Sequence, residues 1–105
     1  MAQDYRFGKT EFSTHVWLDK GRLFKNPNFL EIEMTTSGKF RVEVQRSTGD
    51  VVCSAERDHA GWCTFSFRAG GECGAGVPNG DYKILLRNLA AGVREAKAGR
   101  LEYDV

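Results

Sequence analysis

Hydrophobic and polar residues alternate with a period of two along much of this chain. In residues 40–44, Phe-Arg-Val-Glu-Val, every second side chain is apolar, which is typical of a strand with one face in a core. The same alternation returns at 51–57 and 62–68, and Ser47-Thr48-Gly49-Asp50 supplies turn residues between the first two segments. We therefore predict an antiparallel meander of three strands over residues 39–46, 51–57 and 62–68.

Weaker alternation flanks this unit. The segments that carry it are residues 12–18, 30–35, 81–87 and 101–105. An Asn26-Pro27-Asn28 turn precedes the second of them, and Pro78-Asn79-Gly80 precedes the third. Residues 89–97 contain alanines around Gly92 and have no apolar stripe, so we expect a loop or a single turn there.

Seven to eight short strands at this spacing predict an all-β fold, a small two-layer antiparallel β-sandwich of jelly-roll or immunoglobulin-like topology. With 105 residues, the chain predicts one such domain over residues 1–105. Fewer than a tenth of the residues should be helical. The apolar strand positions predict a core that contains Phe40, Val42, Val44, Phe65, Phe67, Ile84 and Leu86.

Composition and net charge exclude some classes of binding partner. The chain is 41% hydrophobic and 28% charged, as ordinary globular domains are. Its 15 Lys and Arg residues against 14 Asp and Glu residues give a net charge of +1, so no strong field attracts a nucleic acid. No apolar run approaches the roughly 20 residues of a membrane span. We expect neither a nucleic-acid partner nor membrane insertion.

Cys53, Cys63 and Cys73 are three cysteines without a Cys-x-x-Cys pair, which argues against a metal site. On the predicted meander, Ala55 faces Cys63, so Cys53 and Cys63 are diagonal neighbours about 7–8 Å apart, too far for an unstrained bridge. The loop after Arg68 leaves the sheet at the end nearer Cys53. If one disulfide forms, we expect Cys53–Cys73 with Cys63 buried; three reduced thiols are the alternative.

Catalytic chemistry has little support. Cys73 lacks the spacing of a nucleophile elbow, and a Cys73–His59 dyad is a minor alternative. The glycines of residues 70–76 are not followed by Lys-Ser/Thr, as a phosphate-binding loop requires. Glu31 and Glu33 share a strand face, where exposed glutamates are normally a solvated surface. We predict no enzyme, no catalytic residue and no cofactor.

Candidate binding residues follow from strand facing. If the apolar positions of residues 12–18 and 62–68 point inward, His15, Trp17 and Trp62 point outward, and Arg41 lies on a solvent face of its own strand. Outward tryptophans are enriched where proteins bind one another or stack on sugars. Burial under a loop is the alternative for either tryptophan. We predict His15, Trp17, Arg41 and Trp62 as ligand-binding residues.

These features favour a non-catalytic module that recognises another protein or a carbohydrate through a sheet face or the Gly-rich 69–80 loop. An inhibitor or neutralising protein is a special case. The alternative is a structural or assembly protein that forms homo-oligomers through edge strands and outward aromatics. Residues 1–5 contain no signal-peptide pattern. A disulfide would favour a secreted or periplasmic location, and a cytoplasmic one is the alternative.

One resemblance supports the fold class. The Gly-Lys-Phe-Arg-Val-Glu-Val segment at 38–44, the Thr-Gly-Asp turn at 48–50 and the Asn-Gly-Asp-Tyr-Lys-Ile segment at 79–84 resemble small jelly-roll accessory modules of secreted bacterial proteins. The resemblance is one of outline, covers about half of the chain and includes no functional motif. It implies a β-fold and assigns no family.

Overall fold

The computed structural model describes residues 2–105, which form nine strands and one short 3-10 turn at Leu18–Gly21. The strands are β1 (Ala2–Phe7), β2 (Thr10–Phe12), β3 (His15–Trp17), β4 (Phe24–Met34), β5 (Phe40–Gln45), β6 (Val51–Arg57), β7 (Gly61–Ser66), β8 (Asp81–Asn88) and β9 (Arg94–Asp104). All strand pairs are antiparallel. No helix within residues 2–105 is long and apolar enough to cross a bilayer.

The strands form two layers. The front sheet has the order β1-β9-β4-β7, with β2 beside the first half of β9. The back sheet has the order β3-β8-β5-β6. The two sheets meet at a corner, where Phe24 and Lys25 of β4 pair with Tyr82 and Asp81 of β8. The prediction of an all-β, two-layer antiparallel sandwich is confirmed, with nine strands instead of seven to eight.

The core lies between the two sheets and contains every residue predicted for it. Phe40, Val42, Val44, Phe65, Phe67, Ile84 and Leu86 are each at most 2% exposed. The rings of Phe40 on the back sheet and Phe65 on the front sheet meet edge to face, with their centroids 6.1 Å apart. Strand alternation therefore identifies the buried face correctly, because inward and outward positions must alternate along a half-buried strand.

The predicted meander is only half correct. β6 pairs with β5 as expected, but β7 pairs with β4 and lies in the opposite sheet. The three residues between β6 and β7 form an arch over the edge of the sandwich, and Gly61 enters β7 with a φ of +90°. Both strands turn apolar residues toward the same core from opposite sides. Alternation reports only which face meets the core, so a hairpin and an arch look alike in the sequence.

The predicted strand at residues 12–18 is also divided. Phe12 ends β2 in the front sheet, whereas Val16 lies in β3 of the back sheet, so the chain crosses between the layers at residues 13–14. Leu18 is buried, and the next two residues, Asp19 and Lys20, have positive φ angles of 48° and 58°. Left-handed residues end a strand, and the pattern of apolar positions does not reveal them.

Three other expectations differ from the structure. β1 was not predicted as a strand. The Asn26-Pro27-Asn28 segment is an irregularity within β4, where Asn26 has a φ of 46°, and not a turn before it. Residues 94–97 belong to β9 and not to a loop. The last error arises because Arg94 and Ala96 occupy the inward positions, and neither a charged nor a small residue marks a buried strand.

The expected disulfide is present. Cys53 on β6 bonds to Cys73 in the loop after β7, with their α-carbons 5.7 Å apart, and Cys63 is a buried free thiol. The pairing is confirmed, but the proposed register, in which Ala55 faces Cys63, is wrong because β6 and β7 are in different sheets. The bridge instead closes the side of the sandwich where the edges of the two sheets face each other.

Candidate functional site

The four predicted binding residues lie on opposite surfaces of the sandwich. His15, Trp17 and Arg41 share the outer face of the back sheet, where His15 stands opposite Arg87 and Arg87 stands opposite Arg41. Trp62 lies on β7, on the outer face of the front sheet. The structure therefore brings three of these residues onto one face and places the fourth on another. A single site cannot contain all four.

We call the outer face of the back sheet around Trp17 the Trp17 face. Its members are His15, Trp17, Arg41, Glu43, Gln45, Lys83, Leu85, Arg87 and Glu56. Trp17 is half-buried, and the ammonium of Lys83 lies 4.6 Å from the centroid of its ring. His15 meets the indole edge to face at 6.5 Å. The indole is thus already in contact with side chains of the protein itself.

The charged side chains of the Trp17 face form hydrogen bonds and ion pairs with one another. The Glu43 carboxylate is buried and accepts hydrogen bonds from Arg87 Nε at 3.0 Å, Gln45 Nε2 at 2.8 Å and Arg41 Nη1 at 3.4 Å. Burial raises the pKa of the Glu43 carboxyl, but these donors outweigh burial and hold the pKa below its ordinary value of 4.5. Arg41 also donates to Glu56 at 3.0 Å. This network stabilises the sheet and leaves few free groups for a ligand.

The outer face of the front sheet has a different character, and we call it the Trp62 face. Its side chains form three rows across β7, β4 and β9: Trp62, Glu33 and Ala98; Thr64, Glu31 and Arg100; Ser66, Phe29 and Glu102. Trp62 is 55% exposed, which makes it the more accessible of the two tryptophans. An indole in this position offers a flat aromatic surface beside polar groups.

Arg100 lies in the middle row of the Trp62 face. Its Nε donates to Glu31 at 2.9 Å and its Nη1 donates to Asp4 at 2.9 Å, so the guanidinium is neutralised by carboxylates of two neighbouring strands. Arg68 donates to Glu102 at 2.9 Å. Glu33, directly opposite Trp62, has no ion-pair partner within residues 2–105. Its carboxylate is therefore available beside the exposed indole.

A groove of about 220 Å³ lies at the other end of the Trp62 face. It is lined by Asn28, Phe29, Ser66, Arg68 and Glu102. In the part of the chain that the structure describes, the hydroxyl groups of Ser66 and of Thr64, two residues earlier on β7, have no side-chain hydrogen bond. One face thus carries an exposed aromatic ring, unused hydroxyls and an unpaired carboxylate.

Two other features are less suited to a ligand. A groove of about 200 Å³ is lined by Lys39, Glu56, Arg57 and Asp58, but Lys39 and Glu56 already pair at 3.1 Å and no aromatic residue lines the groove. His59 lies beside Cys63, 3.8 Å from its sulfur, and not beside Cys73 as the minor dyad alternative requires. Burial raises the pKa of the Cys63 thiol, which opposes a reactive thiolate.

Within residues 2–105, no three side chains of the His, Cys, Asp or Glu type lie close enough together to hold a metal ion. No protein-family model and no curated protein sequence matches the chain. The comparison with solved structures does find similar β-rich domains. These include a carbohydrate-binding module and proteins of pili and of the flagellar hook.

Three of these structures have comparable similarity. The C-terminal CBM6 of the marine laminarinase LamC from Zobellia galactanivorans has 14% identity and a TM-score of 0.46, covering 96% of this chain and 98% of that one. FlgD of Xanthomonas campestris, described with hook capping, has 15% identity and a TM-score of 0.48, covering 86% and 70%. A disulfide-linked pilus protein of Bacillus endospore appendages has 13% identity and a TM-score of 0.46, covering 99% and 88%. At these TM-scores the likenesses carry no argument about what this chain binds.

The sequence missed most of the Trp62 face. Strand alternation predicts that Trp62 points outward, and it predicts that Glu31 and Glu33 lie on a solvated surface. The sequence gives no signal for their neighbours Phe29 and Arg100, because these residues come together only when β7 and β9 flank β4. The only available signal was alternation within each strand, which does not reveal strand order.

Proposed function

We propose that this protein is a non-catalytic carbohydrate-binding module and that the Trp62 face is its binding surface. The observation that carries the proposal is the exposed Trp62 indole beside the unpaired Glu33 carboxylate on the outer face of the front sheet. A sugar ring presents C–H groups on its faces and hydroxyls on its edge. The indole would stack on the C–H groups, while Glu33 and the Thr64 hydroxyl accept hydrogen bonds from the ring hydroxyls.

A sugar fits this face better than a protein partner does. Stable protein interfaces bury about 1,200–2,000 Å² around an apolar centre from which charged residues are depleted. Trp62 is instead surrounded by Glu33, Glu31 and Thr64, and Arg100 lies on the next strand but one. The free energy needed to remove these polar groups from water over a large area would exceed the free energy gained by burying one indole. A sugar replaces the displaced water with hydroxyl groups of its own.

We also propose that the module, residues 1–105, works in an oxidising compartment, secreted or periplasmic. The Cys53–Cys73 disulfide supports this location, because such bonds form and persist outside the reducing cytosol. Carbohydrate polymers that lie outside the cell are then its natural targets. The binding role needs no cofactor and no catalytic residue.

Affinity gel electrophoresis tests the proposal. Native gels are cast with cellulose derivatives, xylan, β-1,3-glucan or soluble chitin derivatives, and the mobility of the wild type is compared with that of Trp62→Ala. At least one polymer should retard the wild type, and the substitution should weaken its retention by about tenfold or more, which is about 1.4 kcal/mol or more.

Trp17→Phe is the matched control, because the Trp17 indole is half-buried on the opposite surface and should not affect retention. Both variants should keep the melting temperature within a few degrees, which separates lost binding from lost folding. If no polymer retards the wild type, or if both variants bind equally well, the proposal is wrong.

Self-assembly is the second candidate function. The observation that favours it is the free outer edge of β1, since Ala2–Phe7 pairs only with β9 within the described residues. An unpaired edge is a template for a strand of another copy. Light scattering coupled to size-exclusion chromatography decides the question. A monomer at all concentrations would exclude the assembly role, and a dimer or larger species that Gln3→Pro disrupts would support it.

A further inference from the structure

The groove and Trp62 lie at opposite ends of the same outer face. Ser66, which lines the groove, is four residues after Trp62 on β7, a separation of about 13 Å along the strand at 3.2–3.4 Å per residue. Phe29 is displaced by the same distance from Glu33 on β4. A single sugar ring is too small to contact both positions. A ligand that uses the whole face must therefore be an oligomer.

The groove has the chemistry of a second sugar position. Phe29 provides an aromatic side chain and Ser66 provides a hydroxyl without a side-chain partner, whereas the amide of the lining residue Asn28 already donates to Asp104 at 3.1 Å. Arg68 and Glu102 form an ion pair at 2.9 Å, so the groove offers both donors and acceptors without a net charge. The Thr64 hydroxyl lies between Trp62 and Ser66 on β7, which continues the polar strip from one position to the other.

The charges of the face select against an anionic ligand. Arg100 is neutralised by Glu31 and Asp4, and Arg68 by Glu102. The carboxylate without a partner on this face is that of Glu33. A uronic acid or sulfated chain along β7 would meet this negative charge beside the indole, whereas Lys97, an exposed cation without an ion pair among the described residues, lies two strands away on β9. An uncharged chain meets no such penalty.

We infer that the ligand is an uncharged, extended polysaccharide that lies along β7, with one sugar on Trp62 and another in the groove that Phe29 and Ser66 line. This inference rests on the proposed function and specifies its substrate class. Occupation of both positions by one chain makes the second contact intramolecular, so affinity should rise steeply once the oligomer is long enough to span the face. Shorter oligomers should bind at Trp62 alone.

Isothermal titration calorimetry tests the inference with disaccharides and hexasaccharides of cellulose, xylan and β-1,3-glucan and with a hexamer of galacturonic acid. For at least one neutral polymer, the hexasaccharide should bind about tenfold or more tightly than the disaccharide. The galacturonic acid hexamer should bind more weakly than that neutral hexasaccharide. Trp62→Ala should weaken the binding of both lengths.

Phe29→Ala should lower the affinity for the hexasaccharide to that of the disaccharide and leave the disaccharide unchanged. Because Phe29 is partly buried, Arg68→Ala on the exposed rim is the second groove variant, with an effect in the same direction. Equal affinity for both lengths, groove variants that leave the hexasaccharide unaffected, or preference for the galacturonic acid hexamer would overturn the inference while the proposed function stands. Failure of every oligomer, neutral or charged, to bind would instead contradict the proposed function itself.

Discussion

Glu43 shows how one residue can stabilise a surface that sequence inspection assigns to binding. The residue is 4% exposed on the outer side of the back sheet, and its carboxylate accepts hydrogen bonds from two arginines and a glutamine. The native state therefore favours the ionised form more than the unfolded chain does. Arg41, which the sequence suggested as a ligand-binding residue, acts in this structure as one of the donors.

Replacement of this carboxylate should lower the free energy of unfolding by an amount that depends on pH. Because the pKa of Glu43 is lowered in the native state, its contribution to stability is present above its ordinary pKa of 4.5 and is lost as the pH falls through the lowered value. Glu43→Gln should therefore lower the free energy of unfolding by about 1–3 kcal/mol near neutral pH. The difference from wild type should shrink as the pH falls below 4.5 and through the lowered pKa. Urea unfolding across this pH range measures both quantities.

The matched control is Glu33→Gln on the opposite face. The Glu33 carboxylate has no ion-pair partner within residues 2–105, so its removal should change stability little at any pH. A Glu43→Gln variant that is as stable as wild type at neutral pH, or that remains equally destabilised in acid, would contradict the role assigned to this carboxylate.

At the residue scale, the sequence predicted which side chains are buried better than it predicted what the exposed ones do. Phe40 and Phe65 are fully buried as alternation requires. Trp17 and Trp62 both point outward as predicted, but only the second is largely exposed. The difference arises from Lys83, which comes near Trp17 only in the folded chain, and from the turn at Leu18–Gly21, which places Gly21 against the indole.

At the scale of elements, the side of the sandwich between β6 and β7 is closed by side chains instead of backbone pairing. Arg57 on β6 donates to the carbonyl oxygen of Thr64 on β7 at 2.7 Å and to Glu72 at 3.1 Å. Its guanidinium also lies 4.5 Å from the centroid of the Phe65 ring. The Cys53–Cys73 disulfide spans the same opening. These contacts secure two edge strands that would otherwise be free to separate.

Breaking the disulfide should destabilise the protein measurably. The bonded residues are separated by 20 positions in the chain, and closing a loop of that length stabilises a fold by about 3 kcal/mol. Reduction with a dithiol, or the Cys53→Ser/Cys73→Ser pair of substitutions, should lower the free energy of unfolding in urea by about that amount. The double variant should no longer respond to reductant, which controls for effects on Cys63.

Peptide mapping after alkylation gives the second measurement on this bridge. Under non-reducing conditions, the Cys53 and Cys73 peptides should be linked, and the Cys63 thiol should be alkylated only after unfolding. The claim that the Cys53–Cys73 disulfide joins the two sheet edges and stabilises the fold would be contradicted by any of three results. These are a linked Cys63–Cys73 peptide, three labelled thiols, or a stability that reduction does not change.

The order of the strands in the two sheets does not follow from the sequence pattern. The predicted strands at residues 39–46, 51–57, 62–68 and 81–87 match β5, β6, β7 and β8 closely, because alternation is a local property. The partner of β7 was wrong, because strand pairing depends on which layer the chain enters after residues 58–60. β9 was partly missed because Arg94, an inward-facing cation at 1% exposure, breaks the apolar pattern.

At the scale of the whole molecule, the residues that the sequence predicts as one binding site lie on two opposite outer faces with different properties. On the Trp17 face, side chains bond mainly to one another. On the Trp62 face, an aromatic ring, a carboxylate and two hydroxyls remain available, and a groove lies at the far end. The central claim is that carbohydrate binds to the Trp62 face and leaves the Trp17 face free.

Proton–nitrogen correlation spectra of the isotope-labelled protein test this claim most directly, because Trp17 and Trp62 give separate indole Nε1–H signals. These signals are followed during titration with the neutral hexasaccharides named above, and Trp62→Phe assigns them. We predict that the Trp62 indole signal shifts together with backbone signals of β7, β4 and β9, while the Trp17 indole signal stays in place. Shifts confined to Trp17 and its neighbours on β8 and β5, or no shift in either indole with any hexasaccharide, would contradict the account.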